Sequence, residues 1–134
     1  MATMRFDDLP LIVRWLPAVF IMMVIFMFSS LPASRLPYYG SYDLLIKKGG
    51  HAIGYGLLGL AYFFALPPSL RSASRWTLSL MMAILFGLSD EFHESFVAGR
   101  NSSLVDVAID AVGAALFLTL AVIYSSNSRS KSRD

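Results

Sequence analysis

Residues 88–110, LSDEFHESFVAGRNSSLVDVAID, decide how this chain is read. Within them lie Asp90, Glu91, Glu94, Asp106 and Asp110, more than half of all the acidic residues, with His93 and Arg100 in between. Two apolar runs, 76–88 and 107–124, flank or overlap the stretch and would otherwise read as membrane-spanning helices. Carboxylates are costly in hydrocarbon, and in a span they usually face the bundle interior or a watery cavity. The stretch is therefore the first candidate for a functional site. The plain alternative is that it holds only the polar ends of two helices and their connecting turn.

Composition points to a membrane. The chain has 134 residues, 56% of them hydrophobic and 15% charged, where a soluble domain carries about 25% charged residues. Its mean hydropathy is +0.60. A net charge of only +2, with basic residues scattered, gives little support to nucleic-acid binding. The absence of cysteine removes disulfides and thiolate metal sites. The first apolar run is too long for a signal-peptide core and Leu31, Pro32 and Ala33 make a poor cleavage site, so it is expected to stay in the mature protein.

Four spans are expected. The first covers 11–31, with Pro17 near its start and Arg14 snorkelling to the near surface. A loop over 32–48 carries Tyr38, Tyr39 and Tyr42 at headgroup depth, and residues 43–48 form a short helix leading into the next span. The second span, 49–66, is glycine-rich, and Gly50 and Gly54 read as a close helix-packing surface. His51 and Tyr55 share one of its faces. After the break at 67–75, the third span, 76–97, is long enough only if Asp90, Glu91, His93 and Glu94 belong to its last turns. Gly99 supplies a positive φ in the turn that follows, and Ser102 or Ser103 caps the fourth span, 104–124. Asp106, Asp110 and Gly113 lie on one face of that span. The expected fold is all-α, a four-helix transmembrane bundle forming one domain over 1–126, with a disordered cytoplasmic tail over 127–134.

Four spans put both termini on one side, together with Arg5, Arg14, Arg71, Arg75, Arg129, Lys131 and Arg133; Arg35, Lys47, Lys48 and Arg100 fall on the other. The basic excess places the termini in the cytoplasm of a bacterial inner-membrane protein. The outer ends of spans two, three and four then bring their ionisable residues to one depth, forming a polar pocket on the extracytoplasmic face. Five carboxylates at close quarters need compensation or protonation. Lys48, His51 and Arg100 are suited to an anionic headgroup. Carboxylates and histidines are also suited to a divalent cation, although no metal-binding spacing is present. A proton relay in a transporter is a third reading, and it requires a homo-oligomer. An ion-pair network that merely holds the bundle together gives the same pattern.

The order Lys48-x-x-His51-x-x-x-Tyr55-x-x-Leu58-Gly59, then Asp90-Glu91-x-x-Glu94-x-Phe96-Val97-x-Gly99-Arg100, then Asp106-x-x-x-Asp110-x-x-Gly113 resembles the VanZ-like family. The resemblance runs from the second span to the end of the fourth. Glu94 stands where that family usually has glutamine, and Ala98 where proline is common. The resemblance implies a small multi-pass bacterial inner-membrane protein of the cell envelope, from a family named for a determinant of glycopeptide (teicoplanin) resistance. It implies Lys48, His51, Tyr55, Asp90, Glu91, Arg100, Asp106 and Asp110 as motif residues. The function expected is binding, with or without modification, of an envelope-associated ligand that is lipid-linked or anionic; no catalytic residue is assigned.

Overall fold

The computed structural model describes residues 9–131, and these are all-helical. Helix α1 spans Leu11–Ser29, α2 Asp43–Ala65, α3 Ser72–Glu94 and α4 Leu104–Lys131. Two single 3₁₀ turns, Ala33–Arg35 and Gly40–Tyr42, interrupt the connection from α1 to α2. Residues 43–48 form the first turns of α2 itself, with no break before the apolar part. Asp43 starts that helix: its carboxylate accepts from the Tyr39 N–H at 3.1 Å and from Lys47 Nζ at 2.8 Å. The Lys47 ammonium holds the Asp43 carboxyl below its ordinary value.

Helix α3 begins earlier and ends earlier than the sequence suggests. Ser72–Arg75 join its first turn, and Ser95, Phe96 and Val97 close it with turn hydrogen bonds. Helix α4 runs on to Lys131, so the expected disordered tail is helical over 127–131. The remainder of that tail and the N-terminal head lie outside the described residues.

Helix α2 is the axis of the fold: it touches α1, α3 and α4, and its closest partner is α4. The closeness comes from missing side chains. A Cβ on Gly113 would fall on the backbone carbonyl of Ala52, and a Cβ on Gly56 would fall on the Phe117 ring. Backbone thus meets backbone where α2 and α4 cross, the arrangement small residues permit between apolar helices. Gly50 and Gly54 do something else. A Cβ on Gly50 meets nothing within 4 Å, and one on Gly54 meets only the Ile25 side chain at 3.9 Å. The expected helix-packing role for this pair is not what the structure shows.

The far end of α2 is tied by two arginines. Arg14 is buried and donates from Nη2 to the Phe64 and Leu66 carbonyls at 2.9 and 2.6 Å. Arg75 donates to the Phe63 carbonyl from Nε and Nη2 at 3.1 and 2.5 Å, with its guanidinium 4.2 Å from the Phe63 ring centre. Helix C-terminal carbonyls lack intrahelical donors, and cations there also complement the helix dipole. Arg14 therefore does not snorkel; it turns inward as a cap. Pro17 sits in the second turn of α1, past the turn where a missing N–H costs nothing.

The surface is apolar. Phe20 on α1, Leu85 on α3 and Leu120 on α4 are 67%, 63% and 64% exposed, and Ile53, Leu57 and Phe64 line an open face of α2. Buried positions, by contrast, include Arg14, Ser29, Ser79, Asp90, Glu91, Glu94 and Asp110. Helix α1 and the Leu104–Ser125 part of α4 are long and apolar enough to cross a membrane. At 23 residues each, α2 and α3 have the length. Neither is as apolar as α1 or that part of α4: α2 carries Asp43, Lys47, Lys48 and His51 with five glycines, and α3 carries Arg75, Asp90, Glu91, His93 and Glu94 with four serines.

Candidate functional site

The polar side chains gather at the end of the bundle where α2 and α4 begin and α3 ends. Each carboxylate has a separate anchorage. Asp90, one turn before the end of α3, accepts from Ser29 Oγ at 2.8 Å and from the Tyr55 hydroxyl at 3.2 Å, both on the same oxygen. Its other oxygen is buried without a partner. Glu91 reaches across to the start of α4 and accepts from the Ser103 N–H at 2.7 Å. Ser103 in turn accepts from the Val105 N–H at 3.2 Å, so the cap expected at Ser102 or Ser103 belongs to Ser103.

Glu94, the last residue of α3, makes a two-pronged pair with Arg100 through Nε, at 3.1 Å, and through Nη2. Arg100 is delivered by the turn in which Gly99 has a φ of +73°. Glycine is the residue that takes this conformation without penalty. The turn also rests on the α1–α2 connection: the Ala33 N–H donates to the Ala98 carbonyl at 3.2 Å. Lys48 Nζ pairs with Asp106, joining α2 to α4. One turn further on, His51 Nδ1 lies 3.7 Å from Asp110 Oδ1, within ion-pair reach and beyond hydrogen-bond length.

Around these pairs is a cavity of about 290 Å³. Lys48, His51, Glu91 and Glu94 line it from α2 and α3; Arg100, Asp106 and Asp110 line it from the turn and α4. Ala33 and Leu36 of the first connection form part of the wall. Seven of the ten candidate residues therefore share one space. Tyr55 lies behind it, stacked on His51 with ring centres 6.4 Å apart and facing a second cavity. Asp90 sits beneath Tyr55 as its acceptor. His93 points elsewhere, toward α1, where Nε2 is 3.1 Å from Ser30 Oγ and the ring lies 4.5 Å from Phe26.

Two contributors escape a reading by residue type. Ser29 holds Asp90 from α1, and the only sign of it in sequence is a pair of serines closing an apolar run. The Ser103 backbone N–H holds Glu91, and no side-chain motif can announce a backbone donor.

Charge in the site is unbalanced. Five carboxylates, Asp90, Glu91, Glu94, Asp106 and Asp110, stand against Lys48, Arg100 and the titratable His51, while Lys47 is taken by Asp43. Among the described residues, no three histidine or carboxylate side chains converge as a group able to hold a metal ion. An incoming anion would have to displace Glu94 from Arg100 or Asp106 from Lys48. Asp110 also lines the cavity, and its Oδ1, shut off from solvent, has no hydrogen-bond partner. No family model, curated protein or solved structure matches the chain.

Proposed function

We propose that this is a VanZ-like, four-span protein of the bacterial inner membrane that binds the head of an envelope-associated, lipid-linked compound in the polar cavity. Both termini are cytoplasmic and the cavity opens to the extracytoplasmic side. The observation that carries this reading is the inverted burial of the molecule: charged groups of α3 and α4 (Asp90, Glu91, Glu94 and Asp110), with Arg14 of α1, are inside, and large apolar side chains from all four helices are outside. A soluble monomer rarely exposes apolar patches above a few hundred Å², whereas hydrocarbon is the natural solvent for such a surface. Buried charge at one end then marks a site. Asp110 lines the cavity and its Oδ1, shut off from solvent, is unpartnered, which favours a head that can bring a hydroxyl, amide or ammonium donor to it.

A structural role for the cluster has its own support, since the Lys48–Asp106, Glu94–Arg100 and Glu91–Ser103 contacts each tie two segments together. Asp110→Asn separates the two readings. Purification of the full chain from membranes, followed by mass spectrometry of the lipids it retains, is expected to show a minor envelope lipid enriched over bulk phospholipid. The Asp110→Asn protein should accumulate normally and lose that enrichment. Bulk lipid in bulk proportion on both proteins would leave only the structural role.

A further inference from the structure

A second cavity of about 280 Å³ adjoins the polar one, between α1 and α2, and shares Leu36, Lys47, His51 and Arg100 with it. Its remaining wall is mostly apolar, with Ile25 and Phe28 from α1 and Ile46 from α2. The floor is Gly50 and Gly54, and these two glycines are the informative ones. Gly56 and Gly113 are required by helices that touch at those points, but no backbone approaches Gly50 or Gly54. Their missing side chains leave open space that ordinary residues would fill.

We propose that this second cavity holds a single hydrocarbon chain, the tail of the same amphiphile whose head enters the polar cavity. The inference rests on the membrane reading above. Two adjoining compartments, one lined by charge and one by hydrocarbon, match the two halves of an amphiphile. Each falls just below the ~300–1,000 Å³ range of small-molecule sites, and together they fall inside it. At the junction, Lys47, His51 and Arg100 meet the apolar wall, which is where the head-to-tail linkage of such a molecule would lie. Chain burial supplies affinity without demanding specific contacts, and the polar end sets orientation.

The test uses the full chain in phosphatidylethanolamine–phosphatidylglycerol vesicles, with a dodecyl glucoside bearing a photoreactive diazirine near the chain end. Saturable labelling is expected on Ile25, Phe28 and the 50–54 segment, competed by unlabelled dodecyl glucoside and not by methyl glucoside. Gly50→Leu and Gly54→Leu fill the space and should reduce saturable labelling at least tenfold. Labelling of the outward Leu116 and Leu120 should stay unchanged. Non-saturable labelling at both places, or saturable labelling that persists in stably folded variants, overturns the proposal. Should neither variant fold, competition on the unmodified chain decides: absence of competition overturns the tail site. Lipid retention that depends on Asp110, without labelling at Ile25, removes the tail site alone. Labelling without any Asp110 dependence removes the head site and leaves the tail site standing.

Discussion

His51 Nδ1 faces Asp110 Oδ1 across 3.7 Å, and neither atom has a hydrogen-bond partner. The two residues come from α2 and α4, just before the point where Gly113 lets those helices touch. At this distance the pair is beyond hydrogen-bond length, and charge joins it only when the imidazole is protonated. His51→Ala should cost about 1–3 kcal/mol by leaving Asp110 uncompensated. Replacing both, His51→Phe with Asp110→Leu, should recover that loss or exceed it. Thermal unfolding in detergent measures both proteins, and a double variant much less stable than the single one would contradict the assignment.

Arg100 and Glu94 differ from that pair in geometry. Their contact is two-pronged and the Glu94 carboxylate is buried. Arg100→Ala should cost about 3–5 kcal/mol because a buried charge loses its partner. Arg100→Lys should recover only part, since an ammonium cannot reproduce the fork. Glu94→Gln, which introduces the residue usual in the VanZ-like pattern, keeps one acceptor and should cost less than Arg100→Ala. Equal losses for Glu94→Gln and Arg100→Ala in denaturant titrations would show that the fork is unimportant.

The glycines of α2 and α4 should separate into two classes. Gly113→Ala forces a methyl group against the Ala52 carbonyl and should destabilise by about 1–3 kcal/mol. Gly50→Ala meets open space and should stabilise by up to about 1 kcal/mol through helix propensity. Thermal unfolding of the two single variants checks the contrast, and loss of stability at Gly50 would mean the space there is smaller than described.

Arg14 predicts a packing defect at the opposite end. Arg14→Ala removes two charge-assisted hydrogen bonds to the end of α2 and should lower stability by about 2–4 kcal/mol. Substituting Arg71, which is exposed and precedes α3, should change it by no more than about 0.5 kcal/mol. Hydrogen exchange at Phe64–Leu66 amides should rise in the first variant and stay unchanged in the second.

The proposed orientation is open to labelling because the chain lacks cysteine. Ser102→Cys should react with a membrane-impermeant maleimide in intact cells, and a cysteine at Ser69 should react only after lysis. The reverse pattern would invert the topology and place the polar cavity in the cytoplasm.

Residue order alone determined that the described residues fold into helices without strands, that α1 and most of α4 are apolar enough to cross a membrane, and that the ionisable residues of α2, α3 and α4 lie at one level. Those conclusions follow from periodicity, hydropathy and the near-fixed rise of a helix, all of which are local properties. The positive φ of Gly99 and the cap before α4 were legible for the same reason. Only the tertiary structure decided which partner each charge takes. His93 and Glu94 are adjacent in sequence, yet one turns toward Phe26 and the other toward Arg100, because successive helical residues point about 100° apart and only one direction faces the cavity. Likewise Gly50 and Gly56 are indistinguishable as residue types. One opens a cavity and the other admits Phe117, because the space beside a glycine is set by the neighbouring helix and not by the glycine itself.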